Sequence, residues 1–305
     1  MSAISPARVL AEVSAAVPEA CRENIVVIGS LAAGYHFYRT DPTKAVRTKD
    51  VDCVLVPFHA AVGAGQNIAR QLLDAGWKRR LQGDHQEPGT ADTPTAELPA
   101  VRLYPPHSDP DSEEGWFIEL LTVPESTEDK GRQWTRLQLA EGHFGLPTFR
   151  FISITAFDAL PAGDLGIRYA RPEMMVLANL LEHPEIRPER MSGMFAGCAI
   201  KRSNKDLGRV LAIATLANLD DYRPWAASLK NALETCFPNE WRALALRVGD
   251  GLRAILASPA DFEEAQHTCL NGLLASQPPT LDALRAAGDR LLGDAIETLE
   301  EFTQQ

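Results

Sequence analysis

Asp50 and Asp52 are the residues whose type and spacing point most directly to chemistry, in the run Arg47-Thr48-Lys49-Asp50-Val51-Asp52-Cys53-Val54-Leu55-Val56. Side chains alternate along a strand, so two carboxylates one residue apart must share a face. Like charges held that close repel, and Asp is a poor strand former. A fold keeps such a pair mainly when something positive sits between them. Mg²⁺ is the usual candidate, because it takes hard oxygen ligands from one or two carboxylates together with substrate phosphates.

The elements just upstream could position an anion beside that pair. Ile25-Val26-Val27-Ile28 reads as a short buried strand, Gly29-Ser30 as a turn, and Leu31 to Tyr38 as a helix. A helix N-terminus after a glycine turn offers free backbone N–H groups, and Ser30 adds a hydroxyl. Alone, a Gly-Ser after a strand is a weak signal. With Asp-x-Asp on the next strand, it becomes a phosphate cradle beside a metal site. Ser30 has no Gly-x-Ser-x-Gly elbow around it and no partnered base, so it is not read as a nucleophile.

Together, Gly29-Ser30 and Asp50-Val51-Asp52 resemble the signature of the nucleotidyltransferase superfamily, the polymerase-β-like fold. The more specific resemblance is to the AbiEii/MenT-type nucleotidyltransferases of toxin–antitoxin systems. Their Arg-x-Thr-x-Asp-x-Asp segment is matched by Arg47, Thr48, Asp50 and Asp52. A later Lys-Asp pair is resembled by Lys205-Asp206, after a Pro-Glu helix start like Pro172-Glu173. The likeness covers residues 25–57 well, 115–123 and 168–212 more loosely, and nothing beyond 215. The chain departs from the pattern in an insert around Asp41-Pro42-Thr43-Lys44, in Arg209 where the family has a second Asp, and in Asn179 near a usual Lys.

The resemblance implies a Mg²⁺- or Mn²⁺-dependent transfer of a nucleoside monophosphate from a triphosphate such as ATP to an acceptor hydroxyl. Asp50 and Asp52 would hold the metal. Gly29, Ser30, Arg47, Thr48, Lys49, Arg202 and Lys205 would serve the nucleotide phosphates. A third carboxylate is expected on a later strand, and Glu119 in Trp116-Phe117-Ile118-Glu119-Leu120-Leu121 is the candidate catalytic and metal residue. It is a charge inside an apolar run, where burial is costly without a partner. The alternative is an edge-strand Glu facing water. Glu113 and Glu125 lie in polar, turn-rich stretches and fit less well. Three functions follow: transfer to RNA, with the tRNA 3′ end as acceptor and a toxin role with a cognate antitoxin; transfer to a small-molecule or protein hydroxyl; or a non-catalytic nucleotide-binding member.

Composition sets limits on partners. The net charge is −11, so the chain cannot carry the all-over basic face that grips long nucleic acid through phosphate neutralisation. Positive charge gathers locally, at Arg39, Lys44, Arg47 and Lys49 and again at Arg187, Arg190, Lys201, Arg202, Lys205 and Arg209. Such patches suit a triphosphate and a short RNA end. The five cysteines are scattered without Cys-x-x-Cys spacing, which predicts free thiols in a reducing compartment and no structural zinc. No apolar run reaches the ~18 residues of a membrane span, and no secretory signal is read, so a cytoplasmic protein is expected.

At 305 residues the chain has room for two cores. The expected fold is α/β (α+β): a nucleotidyltransferase-like mixed sheet with flanking helices over residues 1–165, then an all-helical domain over 166–305. The first part reads as a lead helix within 1–20, a helix from Ile68 to Leu73 and strands at Trp77–Leu81, Val101–Tyr104, Trp116–Leu121 and Phe149–Ile154. Turn-rich loops fill Gly83–Pro99 and Pro105–Gly115. Helical periodicity dominates from Arg171 onward, with Leu281, Leu284, Gly288, Leu291, Ala295, Leu299 and Phe302 on one stripe that covers either the protein's own core or a partner. Around Lys205, either one helix carries Lys201, Lys205 and Arg209 on a single face, or Ser203 caps a new helix with Asp206 at its third position. A pairing of Arg202 with Asp206 on a solvated face is the structural alternative to phosphate binding. Cys53, His36, Trp134 and Trp241 read as packing residues.

Overall fold

The computed structural model describes residues 3–79, 87–108, 115–128, 133–182 and 194–304. The chain divides into two units, one of residues 1–43 and 47–170, the other of 44–46 and 171–305. Arg187, Arg190, Leu81 and Glu113 lie outside the described residues.

The first unit begins with β1 (Ala3–Ile4) and α1 (Pro6–Ala16), whose Val9, Leu10 and Val13 are buried at helical spacing. Then come β2 (Ile25–Val27), α2 (Gly29–Tyr38), β3 (Val46–Arg47), β4 (Asp50–Leu55), α3 (Phe58–Asp74), β5 (Lys78–Arg79), β6 (Arg102–Tyr104) and β7 (Phe117–Thr122). A hairpin of β8 (Gln133–Leu139) and β9 (Gly142–Thr148) follows, then α4 (Ile152–Ala156), β10 (Leu160–Pro161) and β11 (Arg168–Tyr169). Seven of the strands form one mixed sheet in the order β10-β11-β2-β4-β7-β6-β5. β4 runs parallel to β7 and antiparallel to β2, which places the Asp-x-Asp strand in the middle of the sheet.

The strand faces follow the pleat. Val51, Cys53, Ile118 and Leu120 are buried on one side of β4 and β7, leaving Asp50, Asp52, Phe117 and Glu119 on the other. The helix α3 packs closely on β4 at Leu55 and on the hairpin at Leu137. A Cβ added at Gly65 would lie 2.7 Å from a Leu137 methyl and 3.1 Å from a Leu55 methyl. Burial of Ile68, Ala69 and Leu72 extends that contact along the helix.

Two expectations fail here. Phe149 to Ile154 is a turn leading into α4, not a strand. Ile152 N donates to Phe149 O and Ile154 N to Phe151 O, so local bonds replace a ladder. The antiparallel hairpin β8–β9 supplies β structure that the sequence pattern does not announce. The helix after β4 is also longer than read, starting at Phe58.

The second unit is helical: α5 (Pro172–Glu182), α6 (Arg202–Leu216), α7 (Tyr222–Cys236), α8 (Trp241–Ala245), α9 (Asp250–Ala257), α10 (Pro259–Leu270), α11 (Leu281–Leu291), a π-helical turn at Leu292–Ile296, and α12 (Glu297–Glu301). The stripe read at 281–302 turns inward over most of its length. Leu284, Leu291, Ala295 and Leu299 are fully buried, while Leu281 is exposed. α6 lies so close to α10 that a Cβ at Gly208 would meet Ala265 O at 2.6 Å. Among the described residues, no helix is long and apolar enough to cross a membrane.

Candidate functional site

The turn from β2 into α2 and the start of β4 are built together. Ile28 N donates to Asp52 O at 2.9 Å, which ties the glycine turn to β4 beside the second aspartate. Gly29 has φ +74, a left-handed conformation that costs a side-chain-bearing residue but not glycine. Space makes the same demand. A Cβ at position 29 would stand 2.9 Å from Asp52 Oδ2. Gly29 is therefore required both by its backbone angle and by the carboxylate resting against it. Ser30 follows in the first turn of α2, partly exposed.

Asp52 is the register partner of Glu119 on β7, and Glu119 is in turn the partner of Arg102 on β6. The three form one row across adjacent strands. Asp50 stands two residues along β4, paired with Phe117. Asp50 and Asp52 are partly exposed, whereas Glu119 is only 8% exposed on an interior strand. The edge-strand alternative for Glu119 does not hold. Its oxygens go to Arg102, with Nε donating to Oε2 at 3.0 Å and Nη2 to Oε1 at 3.1 Å, a two-pronged charge-assisted pair.

Arg102 also feels the aspartates. Burial works against its charge, but attraction to Glu119, the bonds to Glu119, and then Asp50 and Asp52 outweigh it, so the guanidinium holds its proton more firmly than usual. Its guanidinium lies 5.9 Å from the centre of the Phe117 ring. Sequence reading missed Arg102, although Val101-Arg102-Leu103-Tyr104 carries the same signal that singled out Glu119, a charge inside a short apolar strand. Cys53 on the opposite face is buried, and burial followed by the nearby Asp52 charge pushes its thiol far up, as suits a packing residue.

The residues preceding Asp50 serve the backbone. Thr48 Oγ1 donates to Asp50 O at 3.2 Å and accepts from Asp50 N at 3.3 Å. Lys49 O accepts from Phe117 N at 2.9 Å. Arg47 is exposed at the end of β3. Of the other expected cations near the site, Arg39 donates to His36 O at 3.1 Å, and Lys44 bonds to Gln277 within the second unit.

Arg202 and Lys205 belong to the second unit, at the start of α6. Arg202 Nε donates to Asp206 Oδ2 at 3.1 Å and Arg209 Nη1 to Asp206 Oδ1 at 3.2 Å, so the buried Asp206 is clamped by two guanidinium groups. Lys205 Nζ lies 5.3 Å from the Phe195 ring centre. A helix does begin here, but Lys201, not Ser203, is its N-cap. Lys201 N donates to Glu264 Oε2 at 2.9 Å, so a carboxylate from α10 takes a donor at the helix entry.

Among the described residues, no group of three or more His, Cys, Asp or Glu is gathered so as to hold a metal ion. Asp50 and Asp52 are the donor type that a hard divalent ion takes when the rest of its shell comes from phosphate and water. A Cβ at Gly29 would press on Asp52 Oδ2, so glycine there keeps that carboxylate oxygen clear of side-chain bulk from α2.

No protein-family model matches the chain, and no curated protein matches it in sequence. One solved structure, of an antigenic nucleotidyltransferase-like protein from Paracoccidioides brasiliensis, aligns with TM-score 0.31 and 15% identity over 79% of this chain and 92% of that one. A likeness that slight bears no weight on fold or chemistry, and the reading of the site rests on its own residues.

Proposed function

We propose that this chain is a metal-dependent nucleotidyltransferase that moves a nucleoside monophosphate from a triphosphate to an acceptor hydroxyl. The observation that supports this reading is the placement of Asp50 and Asp52 on one face of a central strand, with Gly29 at φ +74 against Asp52.

Bound to Asp50 and Asp52, Mg²⁺ or Mn²⁺ would neutralise the triphosphate and polarise the phosphorus under attack. The protein's own part is positioning. The backbone N–H groups at the start of α2 and the Ser30 hydroxyl would hold the phosphates, with the nucleotide lying over the face that carries Asp50 and Asp52. The acceptor oxygen forms a bond to the α-phosphorus as the bond to the bridging oxygen breaks. Pyrophosphate leaves, and the hydroxyl proton passes to solvent. Fixed charge near the phosphates supplies most of the rate, because little covalent work falls to the protein.

The acceptor divides the reading. The resemblance of the Arg47–Thr48–Asp50–Asp52 pattern to toxin nucleotidyltransferases implies RNA, with a tRNA 3′ end as acceptor and a toxin role restrained by a cognate antitoxin. The net charge of −11 favours a small-molecule or protein hydroxyl, which needs no extended basic face. The test is transfer from each α-labelled triphosphate, with Mg²⁺, to total RNA and to a lysate, wild type beside Asp50→Ala/Asp52→Ala. Label that the double variant lacks is the expected result, and the labelled fraction names the acceptor. No label in any fraction, from folded protein that binds nucleotide, would replace this reading with a non-catalytic nucleotide-binding one.

A further inference from the structure

The row Asp52–Glu119–Arg102 sets a charge problem, and its solution bears on how many carboxylates a bound ion can use. Three acidic side chains, Asp50, Asp52 and Glu119, occupy one face of two adjacent strands. Opposite-charge neighbours across strands stabilise such a face and like charges destabilise it. Arg102, from the third strand, takes both oxygens of Glu119 at 3.0 and 3.1 Å and leaves that residue 8% exposed. The register would allow Glu119 to join the aspartates, yet no three-acid group forms.

We propose that the Arg102–Glu119 pair is a built-in counter-charge that keeps Glu119 out of the shell of the ion held by Asp50 and Asp52, and so sets that ion's affinity. This rests on the metal-dependent reading above. Two features carry it. The fork uses the planar geometry in which a guanidinium matches a carboxylate on both prongs, and a lysine could not reproduce it. Arg102 also ends the row Asp52–Glu119–Arg102 across adjacent strands, on the face that carries both aspartates, so its positive charge opposes any cation arriving there. The opposite arrangement is an outer-shell partner that orients a ligating carboxylate. Loss of such a partner lowers metal affinity about 10- to 100-fold. The two roles therefore differ in the sign of the effect.

The experiment is Mn²⁺ binding to the full chain, read by the loss of free-ion electron paramagnetic resonance signal, without substrate. Arg102→Met should bind Mn²⁺ more tightly, roughly tenfold, because a competing positive charge is gone and Glu119 is released. Arg102→Met/Glu119→Leu keeps the falsification open if the single variant does not fold, since an apolar pair commonly replaces a buried ion pair without loss of stability. It should stay within about threefold of wild type, because Glu119 is not a ligand and one charge of each sign has gone. A fall of tenfold or more in either variant would overturn the proposal and make Glu119 a ligand. Wild type that binds no Mn²⁺, or binds it as well after Asp52→Asn, would overturn both the proposal and the metal-dependent reading beneath it.

Discussion

The acids at the start of α6 and the acids on β4 are handled in opposite ways. In the helical unit, Asp206 is buried and held by Arg202 and Arg209, and Asp261 accepts from Lys201 Nζ at 2.7 Å and from Asn204 at 2.8 Å. Each carboxylate there has its cations from neighbouring turns or from a packed helix. On the sheet, Asp50 and Asp52 are partly exposed, and Arg102 on the same face forks onto Glu119 rather than onto them. Acids that hold a fold together are surrounded by donors. On the function proposed above, acids kept side by side with a glycine against one of them would serve a charge that arrives with the substrate.

The largest effect expected from that difference is on transfer. Asp52→Asn should reduce nucleotidyl transfer by at least about 10³-fold, because charge placed at the reacting phosphate supplies most of the rate. Its melting temperature should stay close to that of wild type, since Asn matches Asp in shape and the position is partly exposed. Wild-type turnover in that variant would break the comparison on the sheet side. Gly29→Ala should come next. The left-handed angle costs about 1–2 kcal/mol and the new methyl presses on Asp52, so transfer should fall about 10²-fold through misplacement of the carboxylate. Steady-state kinetics beside a thermal melt would separate the two losses.

The helical acids should show the reverse, a cost in stability. Asp206→Ala strands two guanidinium groups, and breaking a buried pair typically costs 3–5 kcal/mol. Arg202 and Arg209 can partly reach water, their side chains being 46% and 29% exposed, so about 2 kcal/mol is expected by urea denaturation. An unchanged midpoint would remove the contrast. The smallest effect concerns pH. Hydrogen bonds from Lys201 and then Asn204 hold the Asp261 carboxyl down to about 2 from 3.8. A depressed folded-state value means stability that is present above pH 4 and is lost as pH falls toward 2. Asp261→Asn should flatten the acid limb of the stability–pH curve in that window.

How much of this could be read in the sequence follows from how local each cause is. The shared face of Asp50 and Asp52, and the glycine turn before them, are set by strand alternation and by the backbone, and both are visible in a dozen residues. Glu119 was legible as a misplaced charge, but its partner was not, because Arg102 meets it only through the pairing of β6 with β7. Of the two readings open at the start of α6, the Ser203 cap does not form: the cap is Lys201, whose N–H goes to Glu264 on another helix. Phe149 to Ile154 alternates well enough to pass for a strand, and short apolar runs do not separate strand from helix. The local bonds from Ile152 N to Phe149 O and from Ile154 N to Phe151 O take the place of a ladder there, and Arg150 is buried with its Nε donating to Thr127 O.

The central claim is that Asp50 and Asp52 bind the ion that binds the triphosphate. Crystals grown with Mn²⁺ and a non-hydrolysable triphosphate analogue, measured at the manganese absorption edge, test it most directly. The account predicts an anomalous peak between the Asp50 and Asp52 carboxylates, bridged to phosphate oxygens, with Glu119 still on Arg102. A triphosphate bound elsewhere, or manganese at other residues with the aspartates bare, would contradict it.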